Sequence, residues 1–161
     1  MPAPDRRTLV DDLSDPSPWR FVSDRVMGGV SSGQAEAGRD PAHVRLTGDV
    51  STDNNGGFIQ VRRDLGPWPV GTERVILTVR GDGQTYFAAL RTSDATRPWH
   101  SYRAAFTAPA DWAQVTIPIA AFAATRPEMP PLRLDRLRSI GLLAYGRDHR
   151  ADLSLARIEI A

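Results

Sequence analysis

The residues of this chain best suited to recognising another molecule are long polar side chains spaced along alternating apolar segments. Gln60 and Arg62 fall at the opposite parity from Ile59 and Val61. Arg91 opposes Tyr86, Ala88 and Leu90, and Arg103 opposes Tyr102, Ala104 and Phe106. Successive side chains of a strand point to opposite sides of the sheet, so these four belong to a face other than the one that packs the core. A guanidinium offers a fork of donors matched to a carboxylate, a phosphate or vicinal hydroxyls. Trp99, His100 and Tyr102 form an aromatic group beside Arg103. Exposed, they would suit stacking on a sugar or burial in a protein partner; buried, they would be core. A solvated outer face with charged pairs explains the same arginines.

Two glycine turns supply the remaining candidates. Asp24-Arg25-Val26-Met27-Gly28-Gly29-Val30-Ser31 is read as a structural turn carrying an Asp24–Arg25 pair. Its backbone N–H groups could also form an anion-binding nest, but the Lys-Ser/Thr of a phosphate loop is missing. Ser51-Thr52-Asp53-Asn54-Asn55-Gly56-Gly57 ends in a sharp turn that launches a strand, and Asn54 and Asn55 can close that turn through their own amides. The oxygens of Asp53-Asn54-Asn55 could bind a structural calcium, or the turn could simply close on itself.

A catalytic constellation is not expected. His43, His100 and His149 lack the spacing of a metal site, and Ser31 and Ser32 sit in no Gly-x-Ser-x-Gly elbow. Asp24, Asp53 and Asp82 fall on turns, where capping is their ordinary role. No catalytic residue, metal ligand or required cofactor is assigned.

Length and patterning say what must position these groups. A chain of 161 residues can bury one core without staples, and with no cysteine it has neither disulfides nor thiolate ligands. All its basic residues are arginine, as codon bias in a GC-rich bacterial genome would give, and 20 basic against 19 acidic residues leave no broad electrostatic footprint for nucleic acid. Residues 1–12 lack the apolar stretch of a signal peptide, and no window is long and apolar enough to span a bilayer, so a cytoplasmic protein is expected.

Strands are expected at Trp19–Asp24, His43–Ser51, Phe58–Arg62, Glu73–Arg80, Gln84–Arg91, Ser101–Thr107, Trp112–Ile119, Ser139–Tyr145 and Asp152–Ile160. Gly81-Asp82-Gly83 reads as the tight turn of a hairpin. Pro118 marks an edge or bulge, and the change of parity between Leu155 and Ile158 a bulge. The small polar run ending at Gly38 is assigned no strand. Eight to ten short strands with almost no helical periodicity give an all-β jelly-roll sandwich over 19–161, preceded by a flexible lead-in over 1–18.

Trp19, the Asp24–Ser31 stretch, Asn54-Asn55-Gly56-Gly57-Phe58 with Val61-Arg62, Arg80-Gly81-Asp82-Gly83 with Tyr86, and Ser139-Ile140-Gly141-Leu142 together resemble the complex I intermediate-associated protein family. The resemblance runs in order from Trp19 to the C-terminus. It implies a galactose-binding-like β-sandwich and, in mitochondria, a role as an assembly factor for respiratory complex I, with no catalytic residue. The expected function is thus a non-catalytic assembly protein or chaperone acting through contacts with a protein partner, without a membrane span. A carbohydrate- or small-ligand-binding module is the alternative.

Overall fold

The computed structural model describes residues 7–55, 57–97 and 99–161; the side chains of Met27 and Asn55 also lie outside what it describes. Twelve strands are described: β1 (Thr8–Asp11), β2 (Arg20–Ser23), β3 (Ser32–Gly38), β4 (His43–Val50), β5 (Phe58–Asp64), β6 (Arg74–Gly81), β7 (Thr85–Thr92), β8 (Tyr102–Thr107), β9 (Ala113–Pro118), β10 (Ala123–Ala124), β11 (Leu137–Tyr145) and β12 (His149–Ile160). They form two antiparallel sheets. The first has the order β3-β4-β12-β6-β9, with β1 also paired to β12, and the second the order β10-β8-β7-β11-β5-β2. This is a jelly-roll sandwich of the galactose-binding-like type.

The alternation that marks the strands also builds the core. Leu46, Ile59, Val61, Leu77, Val79, Tyr86, Ala88, Leu90, Ile140, Leu142, Leu153 and Leu155 meet between the sheets and are almost completely buried. At roughly 1.5–3 kcal/mol for each large apolar side chain removed from water, this layer is the main stabilising term. The expected bulge in β12 is present: its pairing with β6 shifts register between Leu155 and Arg157. Pro118 ends β9 at an edge of the first sheet, where a missing N–H costs no ladder bond.

Three expectations are corrected. First, the Asp82 turn is not a hairpin, because β6 lies in the first sheet and β7 in the second. Both strands present apolar residues to the same interior, and the chain turns over the edge of the sandwich between them. Tyr86 fixes that corner. Its hydroxyl shares its proton between Asp82 Oδ1 (2.8 Å) and the Asp152 carbonyl (3.1 Å) and accepts from Asp152 N (2.9 Å). Burial first, and then the neighbouring carboxylates, push the phenol well above its ordinary pKa.

Second, the sandwich begins before Trp19. Thr8–Asp11 pairs with the end of β12, Leu13 is buried in the core, and Asp11 accepts hydrogen bonds from Trp19 Nε1 (2.9 Å) and Arg63 Nη1 (2.7 Å). A short edge strand flanked by polar residues carries too little alternation to be seen in sequence. Third, the polar run Ser32–Gly38 is strand β3, paired along its length with β4. It is an edge strand with largely exposed side chains, so no apolar pattern is imposed on it.

Candidate functional site

Because β5, β7, β8 and β11 belong to one sheet, their outward residues fall into rows. Register places Arg62 of β5 beside Gly141 of β11, Gly141 beside Ala89 of β7, and Ala89 beside Arg103 of β8. The adjacent rows are Gln60, Leu143 and Phe87, and Ser139 beside Arg91. This outer face forms a groove of about 680 Å³ that crosses all six strands, from Val22 of β2 to Ala123 and Ala124 of β10. It is not an ordinary solvated surface. Leu143 is 1% exposed although it points away from the core between the sheets, and Ser139 and Ala89 are also buried.

The floor of the groove is shallow in the middle because its residues are small. A Cβ at Gly141 would stand 2.4 Å from Gln60 Oε1, so the glycine is what lets the Gln60 amide lie across β11. One end is apolar, formed by Val22, Val26, Phe58, Leu143 and Tyr145, with Phe87 edge-on to Tyr145 at 5.1 Å. Alongside it runs a cationic strip. Arg103 lies over the Tyr145 ring at 4.8 Å and donates from Nε to Ser101 Oγ (3.2 Å). Arg91 donates to the carbonyls of His100 (3.2 Å) and Arg97 (3.1 Å). Arg62 Nε is buried and finds no acceptor.

None of these three guanidiniums forms an ion pair among the described residues, and the groove lining contains no Asp or Glu. Burial lowers the pKa of all three. At Arg62 the positive charges of Arg20 and Arg91 lower it further, and Asp64 acts in the opposite sense. At Arg103 the Tyr145 hydroxyl raises it against burial, and Arg126 adds to the lowering. All remain protonated at neutral pH, since arginine does not deprotonate in proteins. The groove therefore concentrates positive charge that nothing in its own walls neutralises.

Gln60, Arg62, Arg91, Arg103 and Trp99 of the sequence candidates thus line one groove; Trp99 stands at its rim, 39% exposed. Tyr102 does not join them. Its parity turns it into the core, it is 2% exposed, and its hydroxyl donates to the Pro130 carbonyl at 2.5 Å. The aromatic group therefore divides: Trp99 at the rim, Tyr102 in the core and His100 buried beside Glu128 (3.4 Å). The apolar end and the Gly141–Ala89 floor were not singled out from sequence. Their shared parity with Gln60, Arg62, Arg91 and Arg103 was the available signal.

Asp24 has a different role from the expected pair with Arg25. It is fully buried, with Oδ1 accepting from Ser31 N (3.0 Å) and Oδ2 from Ser31 Oγ (2.5 Å), Gly57 N (2.6 Å) and Phe58 N (3.2 Å). Arg25 instead donates from Nε to the Ser31 carbonyl (2.9 Å). Burial alone would raise the Asp24 pKa, but the four hydrogen bonds outweigh it and hold the carboxyl below its ordinary value. Asp24 therefore locks the two glycine loops together at the end of the groove where Val26, Gly57 and Phe58 stand.

The first loop does not present a nest, because Gly28 N and Gly29 N donate to the Arg25 and Asp24 carbonyls. Asn54 takes a left-handed conformation in the one-turn helix Asp53–Asn55, away from the groove lining. The side chain of Asn55 and all of Gly56 lie outside the described residues.

The fold and its cross-strand groove define a galactose-binding-like β-sandwich. The chain belongs to the family described as Complex I intermediate-associated protein 30 (CIA30), whose model matches residues 9–156. No curated protein sequence matches it. Among solved structures it resembles the family 11 carbohydrate-binding module from Clostridium thermocellum in complex with a β-1,3-1,4-mixed-linked tetrasaccharide. That likeness has a TM-score of 0.70 at 17% identity and covers 96% of this chain and 94% of that one. The family 11 module of a cellulosomal cellulase of the same organism aligns with a TM-score of 0.71 at 16% identity, covering 98% and 95%. A family 30 carbohydrate-binding module aligns with a TM-score of 0.57 at 13% identity, covering 83% and 91%. At these identities the likeness establishes the fold.

Proposed function

We propose that this chain is a non-catalytic binding protein that acts in the assembly of respiratory complex I, holding a protein partner in the groove of the second sheet. The observation that carries this reading is the groove itself: a continuous channel across six strands, with three guanidiniums that have no carboxylate partner in its walls. Membership of the CIA30 family supports a protein partner. The lining supports binding rather than turnover. It holds no Asp, Glu, His, Lys or Cys, so the hydroxyls of Ser101, Thr125, Ser139 and Tyr145 have no carboxylate, imidazole or amine in the lining to activate them. No helix of the described residues is long and apolar enough to cross a membrane.

A carbohydrate- or small-ligand-binding module is the second reading. It is favoured by the half-exposed Trp99 at the groove rim, where a sugar ring could stack. The carbohydrate-binding modules that share the fold support it too.

The two readings separate in one comparison. The gene is replaced by a version carrying Arg62→Ala, Arg91→Ala and Arg103→Ala, or by a control carrying Arg150→Ala and Arg157→Ala on the outer face of the first sheet. Assembled complex I is then measured on native gels, and glycan binding of the purified proteins by thermal shift. Assembly lost with the groove variant alone supports the first reading. Normal assembly, with a glycan-induced shift that the groove variant loses, supports the second.

A further inference from the structure

The chemistry of the groove says more about its occupant than that it is a partner. A guanidinium carries five donors and no acceptor, so three of them in a partly buried site demand acceptors from whatever fills it. For a neutral polyol, whose hydroxyls must donate as well as accept, the side-chain acceptors are the Gln60 carbonyl and the hydroxyls of Ser101, Thr125, Ser139 and Tyr145, and those of Ser101 and Thr125 are already hydrogen-bonded. Arg62, with its Nε buried and unpaired, already lacks an acceptor. An anionic ligand answers both needs.

Spacing narrows the class. Arg62 and Arg103 share one row, separated by Gly141 and Ala89, which is three strand spacings or about 14 Å. An extended polypeptide rises about 3.4 Å per residue, so side chains at i and i+4 on one face also stand about 14 Å apart. The residue at i+2 would lie over the Gly141–Ala89 floor. Arg91 stands one row to the side, two residues along β7 from Ala89, with Nε and Nη2 held by the His100 and Arg97 carbonyls and Nη1 as the donor it can offer.

We infer that the groove binds an extended acidic segment of a polypeptide lying across the strands, with carboxylates at alternate positions paired to Arg62, Arg91 and Arg103. This rests on the groove being the binding surface. Recognition is by side chains on a sheet face, so it needs no free sheet edge and leaves the ladder intact.

The test uses the full chain and two synthetic peptides, an alternating Glu-Ser repeat of six residues and its Gln-Ser counterpart, with an oligogalacturonate as a third ligand. Affinities are measured by titration calorimetry, and the bound site is mapped by amide chemical-shift changes. The Glu-Ser peptide is expected to bind at least tenfold tighter than the Gln-Ser peptide and to weaken as salt rises. Its shifts should fall on β5, β7, β8 and β11. Arg62→Ala and Arg103→Ala should each weaken it about tenfold, while Arg150→Ala should leave it unchanged.

Equal binding of both peptides in the groove would overturn the charge assignment while leaving the groove reading intact. Tighter binding of the oligogalacturonate through the same arginines would overturn the polypeptide assignment. Shifts on the first sheet would overturn both the inference and the groove reading. No binding of the Glu-Ser peptide at millimolar concentration would overturn the inference alone.

Discussion

Replacing Asp24 with Asn removes one charge and changes one acceptor to a donor, with almost no change in volume. Oδ1 can still accept from Ser31 N. At the position of Oδ2 an amide NH₂ would confront Gly57 N and Phe58 N, which now donate at 2.6 and 3.2 Å, and Ser31 Oγ. The serine hydroxyl can turn its proton to the Ser51 carbonyl, 3.2 Å away, and accept from the new amide, but that gives Gly57 N and Phe58 N no acceptor. Two backbone donors therefore lose their acceptor. At about 1–3 kcal/mol for each buried donor left unpaired, and with partial relaxation of the loops, the variant should lose about 3 kcal/mol.

For a domain of this size that corresponds to a fall of roughly 6–12 °C in Tm. The pH dependence has a definite sign. The folded-state pKa of Asp24 lies below its unfolded value, so its contribution is fully present above about pH 4 and is lost as the pH falls through the folded pKa. The gap between wild type and Asp24→Asn should be widest at neutral pH and narrow below about pH 4. Urea denaturation of both proteins at a series of pH values measures it. A loss under about 1 kcal/mol at pH 7, or a gap that widens in acid, would refute the role of Asp24 as the clasp between the loops.

Four further substitutions follow from the geometry. Gly29→Ala would put a Cβ 2.4 Å from Asp24 Cγ, and overpacking against a fixed buried carboxylate should cost about 1–3 kcal/mol in denaturant titration. Gly141→Ala meets only the flexible end of Gln60 and should change stability by less than about 1 kcal/mol. Gly141→Leu should keep the fold, by circular dichroism, but fill the groove floor and weaken peptide binding more than about tenfold, roughly 1.4 kcal/mol. Tyr102→Phe removes a hydroxyl that donates to the Pro130 carbonyl and should cost about 1 kcal/mol in thermal unfolding, with no effect on binding, because Tyr102 faces the core.

Alternation made much of this architecture legible in the sequence. Where a strand has one face on the core, as with Ile59 and Val61 against Gln60 and Arg62, parity alone separates packing residues from outward ones. The same rule set Arg91 and Arg103 on an outer face and marked the bulge near Leu155. It failed where burial is weak: β3 and β1 are edge strands whose side chains answer mainly to water.

Asp82 illustrates a different limit. A Gly-Asp-Gly turn between two alternating strands looks the same whether the strands pair or cross between sheets, because both arrangements bury the same residues. Asp24 was legible as a turn carboxylate, but its bonds to Gly57 and Phe58 join positions more than thirty residues apart, and no local pattern encodes them. The groove was visible only as scattered cations. Their convergence depends on the register of β5, β11, β7 and β8, which brings Gly141 and Ala89 between Arg62 and Arg103.

Site-resolved photo-cross-linking in living cells would test most directly whether the second sheet is where this protein binds. A photoreactive amino acid is placed in turn at Val26 and Trp99, at the two ends of the groove, and at Gln114 and Thr116 on the exposed outer face of the first sheet. A defined protein adduct from Val26 and Trp99, absent at Gln114 and Thr116 and abolished by Arg62→Ala with Arg103→Ala, is the predicted result. The same adduct forming from Gln114 or Thr116, and surviving loss of both arginines, would contradict it.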